Sequence, residues 1–147
     1  MATPDLTPEN SPDREPGPPR IRVLIVDDSA LMRRLLSDLL SSSPEIEIVG
    51  TARDGREAVL QAARLKPDVI TLDVEMPEVS GLEALRQIRA VDPEAKVVVV
   101  TALDQKQSLM DSIREGAIDF IVKPFERERV LALLAKLENA AVPKTSA

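Results

Sequence analysis

The stretch VLIVDDSA, residues 23–30, runs four aliphatic residues straight into two adjacent carboxylates, Asp27 and Asp28. The apolar run reads as a buried strand, and buried charge is costly unless a partner compensates it. The position of those two acids therefore decides what kind of fold can hold them.

Similar runs recur along the chain. IRVLIV (21–26), IEIVGTA (46–52), DVITL (68–72), KVVVVT (96–101) and DFIV (119–122) are short and rich in β-branched residues, and are predicted as strands β1 to β5. Most are apolar on both faces, as in a parallel sheet covered by helices on each side. IEIVGTA alternates better, which suits an edge strand. Helical patterns fill the intervals: ALMRRLLSDLL (30–40), GREAVLQAARL (55–65), GLEALRQIRA (81–90), QKQSLMDSIREG (105–116) and ERERVLALLAKLEN (126–139), predicted as α1 to α5. In the first, Leu31, Leu35 and Leu39 share a face, with Leu36 and Leu40 beside them. Ser29, Asp54 and Ser80 are candidate N-caps and Gly116 a C-terminal stop. Five βα units predict a doubly wound α/β domain with a five-stranded parallel sheet, and the flavodoxin-like order 2-1-3-4-5 is the expected one.

In such sheets ligands bind beyond the carboxyl ends of the strands. Asp27 and Asp28 follow the first run, Asp73 the third, Thr101 ends the fourth, and Lys123 follows the fifth. Three carboxylates, a hydroxyl and an ammonium thus converge on one sheet edge, although any one of them alone could simply open a loop. Clustered acids raise one another's pKa unless a cation neutralises them. The chain has no His and no Cys, which excludes disulfides, thiolate or imidazole metal sites, a phosphohistidine and a Ser-His-Asp triad. Oxygen ligands alone favour Mg²⁺. A lysine and a threonine nearby suit a phosphoryl group, with one Asp as nucleophile.

Composition bounds the rest. The 147 residues suit one domain, with a core of Val, Ile, Leu and Ala because aromatics make up only 1%. A net charge of −6 and a pI near 4.8 argue against nucleic-acid binding. Neither a membrane span nor a signal peptide is legible, so a cytoplasmic protein is expected. Residues 1–20 hold half of the prolines and read as a disordered leader; residues 140–147 read as a flexible tail.

VLIVDDS, the segment DVEMPEVSG from Asp73 to Gly81, VVVVTA and DFIVKPF resemble, in order and spacing, the response-regulator receiver domain across residues 21–139. The resemblance implies Asp73 as phosphoacceptor and Mg²⁺ held by Asp28 directly, by Asp27 mainly through water, by Asp73, and by the backbone carbonyl of Glu75. It further implies Lys123 and Thr101 as phosphoryl contacts, Thr101 and Phe120 as switch residues, and a cis Lys123–Pro124 bond. Phe120 also suits a plain core position and lacks the hydroxyl of the tyrosine many members carry there. Met76 and Pro77 are expected to shape the loop. Glu75 departs from the small or amide residues of some members, and its carboxylate is expected to alter access to the site and the phosphoryl lifetime.

Partners implied are a sensor histidine kinase and a downstream protein docking on the α4–β5–α5 face, built from Gln105–Glu115, Phe120 and Glu126 onwards. The charges there, Lys106, Asp111, Arg114, Arg127 and Arg129, fit a solvated surface equally well. With only a tail after the last helix, a stand-alone regulator that works by docking is expected, a monomer that could dimerise on phosphorylation. DDSALMRRLL and EIVGTARDGREAV resemble chemotaxis regulators, both single-domain ones and the receiver half of the chemotaxis methylesterase. Other readings are a phosphorelay intermediate, an inactive scaffold, and an aspartyl-phosphate-forming phosphohydrolase of the haloacid-dehalogenase type. The last places its nucleophile after the first strand in a DxD arrangement, whereas here adjacent acids stand there.

Overall fold

The computed structural model describes residues 21–76 and 80–140. The proline-rich leader 1–20, the tail beyond residue 140 and Pro77 of the loop after the third strand lie outside the described residues. The elements are β1 (Ile21–Val26), α1 (Ala30–Leu40), β2 (Ile46–Ala52), α2 (Gly55–Leu65), β3 (Val69–Asp73), α3 (Gly81–Val91), β4 (Lys96–Ala102), α4 (Lys106–Arg114), β5 (Asp119–Lys123) and α5 (Arg127–Ala140). The sheet is parallel throughout in the order β2-β1-β3-β4-β5, so the flavodoxin-like reading holds and IEIVGTA is indeed an edge strand.

Local signals set the helix starts. Ser29, Asp54 and Ser80 each accept a hydrogen bond from a backbone N–H three residues on, those of Met32, Glu57 and Glu83, satisfying donors that a helix start leaves open. Gly116, with φ of 111°, turns the chain after α4 in a conformation that suits glycine.

Alternation along the strands divides the core in two. Val23, Ile25, Val69, Val98, Val100 and Ile121 face α1 and α5, where Leu36, Leu40, Val130 and Leu133 cover them. Leu24, Val26, Ile70, Leu72, Val97 and Val99 face the other side, against Ala58 and Ala62 of α2 and Ala84, Leu85 and Ile88 of α3. Small residues on α2 and α3 let those helices lie close to a sheet already filled by branched side chains.

One stripe differs from the expected face. Leu36 and Leu40 are buried, and Leu39 packs against the same cluster, but Leu31 and Leu35 are exposed at 62% and 42%. A leucine-rich helix offers two overlapping stripes, and its roll is set by how its start is pinned. Here Ser29 caps it, and the Arg33 guanidinium donates to the Asp27 carbonyl at 2.7 Å.

Two core positions generate predictions. The Thr71 hydroxyl is buried on the α1/α5 face and, among the described residues, has no hydrogen-bond partner. Thr71→Val removes that desolvated group and should raise stability by about 1 kcal/mol; urea denaturation measures it, and unchanged or lower stability would mean the hydroxyl is satisfied by water. Gly81 begins α3 so close to the strand that bears Asp73 that a Cβ would clash with the Val74 Cα and the Asp73 carbonyl. Gly81→Ala should cost roughly 2 kcal/mol by the same measurement, because backbone rather than a flexible side chain has to yield.

Candidate functional site

Asp73 and Lys123 are the last residues of their strands, held in ladder register, and Thr101 is the last but one of its strand. Asp27 lies one residue past β1, tied by its backbone N–H to the Ala52 carbonyl at 3.0 Å. Asp27, Asp73 and Lys123 continue the alternation that points Ile25, Thr71 and Ile121 toward α1 and α5. Thr101 and Phe120 belong to the opposite set. The site thus straddles the sheet edge, acids and lysine on one side, threonine and the aromatic residue toward the other.

The sequence places the acids at the rim; the structure shows that the rim position does not expose them all. Asp27 and Asp73 are only 3% and 1% accessible, whereas Asp28 is exposed. Compensation comes from Lys123, whose Nζ lies 3.0 Å from Asp27 Oδ2 and 3.1 Å from Asp73 Oδ2. β4 intervenes between β3 and β5, so Lys123 reaches across two strand spacings, about 10 Å, to Asp73, and one further to Asp27. A long cationic stem reaching across the end of β4 meets that need. The other carboxylate oxygens take backbone donors: Ser29 N–H donates to Asp27 Oδ1 and Glu75 N–H to Asp73 Oδ1, both at 2.9 Å.

Carboxylate oxygens of Asp27, Asp28 and Asp73 all lie within 4.8 Å of one another and could hold a metal ion. The fit is chemical as well as geometric. Two of the acids are buried and have one shared ammonium as their side-chain counter-charge, so a hard divalent cation on oxygen ligands would relieve their repulsion.

The remaining expected residues fall beside this cluster. The Thr101 hydroxyl donates to Glu75 Oε2 at 2.9 Å, and the Ala102 N–H donates to Glu75 Oε1 at 3.2 Å. Phe120 is half-buried against the core on the α2/α3 side, and the Arg129 guanidinium stands over its ring, 5.0 Å from the centroid. The same arginine donates to the Phe120 carbonyl at 3.1 Å and pairs with Asp119 at 3.7 Å. The Lys123–Pro124 peptide bond is cis. Sequence reasoning missed the Ala102 amide, the reach of the Glu75 side chain, and Arg129 as a partner of Phe120. Ala102 and Glu75 lie within segments that carry the resemblance, but each of these contacts joins residues whose meeting depends on how the chain folds back. It also missed the exposed apolar residues at and before α4, namely Leu103, Met110 and Ile113, which were hidden among the charges of that face.

A doubly wound parallel sheet with an acid cluster, a lysine and a threonine gathered at one carboxyl edge is the arrangement that the resemblance to a receiver domain implies. The chain belongs to the response regulator receiver domain family, whose model matches residues 23–135. It is CheY-like. The chemotaxis protein CheY of Thermotoga maritima is 46% identical over 118 residues, covering 80% of this chain and 98% of that protein. The protein-glutamate methylesterase/protein-glutamine glutaminase of a Nocardioides species is 41% identical over 128 residues, which cover 86% of this chain but 35% of that protein. Among solved structures, the CheX-CheY-BeF3-Mg²⁺ complex of Borrelia burgdorferi superposes with a TM-score of 0.74 at 36% identity, covering 80% of this chain and 89% of that one. No helix among the described residues is long and apolar enough to cross a membrane.

Lys123 generates a prediction. Burial pulls its pKa down, but the bonds to Asp27 and the charge of Asp73 outweigh burial and leave it raised above the ordinary 10.5. A raised lysine contributes stability below its unfolded pKa and loses it as pH climbs through the folded one. Lys123→Met leaves two buried acids without their cation and should cost roughly 3 kcal/mol in metal-free buffer. In urea melts that difference should hold from neutrality up to 10.5 and shrink above it.

Proposed function

We propose that this chain is a response regulator that accepts a phosphoryl group on Asp73 from a sensor histidine kinase, with Mg²⁺, and signals by a change in its α4–β5–α5 face. The observation that carries this reading is the contact of Lys123 Nζ with Asp73 Oδ2 at 3.1 Å, inside a cluster of three acids from two strand ends.

An oxygen of Asp73 attacks phosphorus as the bond to the donor's imidazole nitrogen breaks, leaving an aspartyl phosphate and a free histidine side chain on the kinase. Asp28 directly, Asp27 mainly through water, Asp73 and the Glu75 carbonyl would hold Mg²⁺, which would offset the charge of the carboxylates and the incoming group. Lys123 exchanges part of its contact with Asp73 for a phosphoryl oxygen, and the Thr101 hydroxyl donates to another. Asp27 retains Lys123 at the site through this exchange. Thr101 and Phe120 then carry the change toward α4, where Leu103, Met110 and Ile113 offer exposed apolar surface beside charged residues. Likeness to CheY proteins over most of the chain supports a chemotaxis role in the cytoplasm, with the chain acting as a monomer before phosphorylation. A second reading, the receiver portion of a methylesterase-like protein, draws support from 43% identity to the CheB response regulator domain of Thermotoga maritima.

Incubation with acetyl phosphate and Mg²⁺ followed by intact mass spectrometry tests the proposal. One phosphoryl group is expected on the wild type, and none on Asp73→Asn or on wild type without Mg²⁺. A folded protein that takes neither phosphoryl nor beryllofluoride would refute the reading.

A further inference from the structure

The Glu75 carboxylate is engaged at both oxygens, by the Thr101 hydroxyl at 2.9 Å and the Ala102 N–H at 3.2 Å. Both donors sit at the end of β4, directly after Val100, the residue in register with Asp73. A hydroxyl and a backbone amide converging on one carboxylate form an anion-binding pair, and the pair is filled by an anion from the same chain.

Glu75 is brought there by Asp73 itself. The Glu75 N–H donates to Asp73 Oδ1 at 2.9 Å, an Asx-type turn that folds the chain back over the end of β4. One carboxyl oxygen of Asp73 therefore holds the backbone of the residue whose side chain covers the donors beside it. Apart from Glu75, the Thr101 hydroxyl has a longer contact with the Ala102 carbonyl at 3.3 Å, so the hydroxyl can turn to another anion once Glu75 leaves.

We infer that the Glu75 carboxylate is a tethered occupant of the phosphoryl-oxygen site on Thr101 and Ala102. It holds the unphosphorylated arrangement and must be displaced when Asp73 is modified. This rests on Asp73 being the phosphoacceptor. A tethered anion competes without being consumed, so any anion that fills the site binds with an affinity reduced by the fraction of time Glu75 is away. As the phosphoryl group arrives, its oxygen takes the donor pair in place of the carboxylate; when it is lost, Glu75 returns and resets Thr101. Glu75 is thus a positioning residue acting through Thr101, in addition to the metal-ligand role proposed for its carbonyl.

The test separates occupancy from mere charge. Wild type, Glu75→Ala and Glu75→Asp, as ¹⁵N-labelled full chains of verified melting temperature, are titrated with beryllofluoride in Mg²⁺ while the Ala102 amide resonance is followed. Aspartate keeps the charge but shortens the reach by about 1.5 Å, too short to span both donors from the same backbone. If occupancy governs, both variants bind beryllofluoride about tenfold more tightly than wild type, as for a site open roughly one tenth of the time, and their Ala102 amides exchange with solvent faster. Tight binding by Glu75→Ala alone would overturn the inference in favour of charge repulsion. Equal affinity in all three would overturn it while leaving the phosphoacceptor reading intact. Failure of all three folded proteins to bind would remove that reading, and this inference with it. Should Glu75→Ala not fold, the comparison of Glu75→Asp with wild type decides alone.

Discussion

The organisation of the site depends on one electrostatic constraint: two buried carboxylates, Asp27 and Asp73, share a single lysine ammonium that reaches in from the edge strand, two strands from Asp73 and three from Asp27. Both acids would be untenable at such low accessibility without that counter-charge. Lys123 in turn is fixed by β5, whose place at the sheet edge follows from the strand order. The strand order, the acids and the lysine are therefore one arrangement. A chain that put β5 elsewhere would leave the acids uncompensated, and a chain without the acids would bury an ammonium for nothing. The same arrangement leaves the acid pair one positive charge short of neutrality, the physical reason a divalent cation suits the cluster.

The alternation of the strands gives this site two sides. Asp27, Asp73 and Lys123 lie on the side covered by α1 and α5; Thr101 and Phe120 belong to the side facing α2 and α3. Thr101 is the crossing point, because its hydroxyl meets the Glu75 carboxylate projecting from the loop just beyond Asp73. Phe120 is tied in a different direction, beneath Arg129 of α5, which also binds its carbonyl. Charge introduced at Asp73 can thus be felt at Thr101 through hydrogen bonds, while the aromatic ring is coupled to α5 by a contact of about 1 kcal/mol or less.

Much of this was legible in the linear chain. The buried runs, the caps at Ser29, Asp54 and Ser80, and the acids, threonine and lysine at strand ends follow from periodicity and residue type, because a parallel βα repeat has few ways to fold. The roll of α1 was not legible, since Leu31 and Leu35 compete with Leu36 and Leu40 on hydrophobicity alone and only the pinning of its first turn breaks the tie. Nor was the occupation of Thr101 by Glu75. The two are 26 positions apart, and their contact needs both the turn after β3 and the adjacency of β3 with β4.

The sequence by itself determined which chemistry was available: oxygen ligands, a hydroxyl and an ammonium, with no imidazole or thiolate, at the ends of aliphatic strands whose alternation sorts them by face. Tertiary structure alone decided how those groups are paired. Lys123 bridges Asp27 and Asp73, Glu75 covers Thr101 rather than pointing outward, and Arg129 covers Phe120. Each pairing is a distance of a few ångströms between residues far apart in the chain. Residue type fixes the sign of such an interaction, but its strength depends on separation and burial, and only the packed sheet sets those.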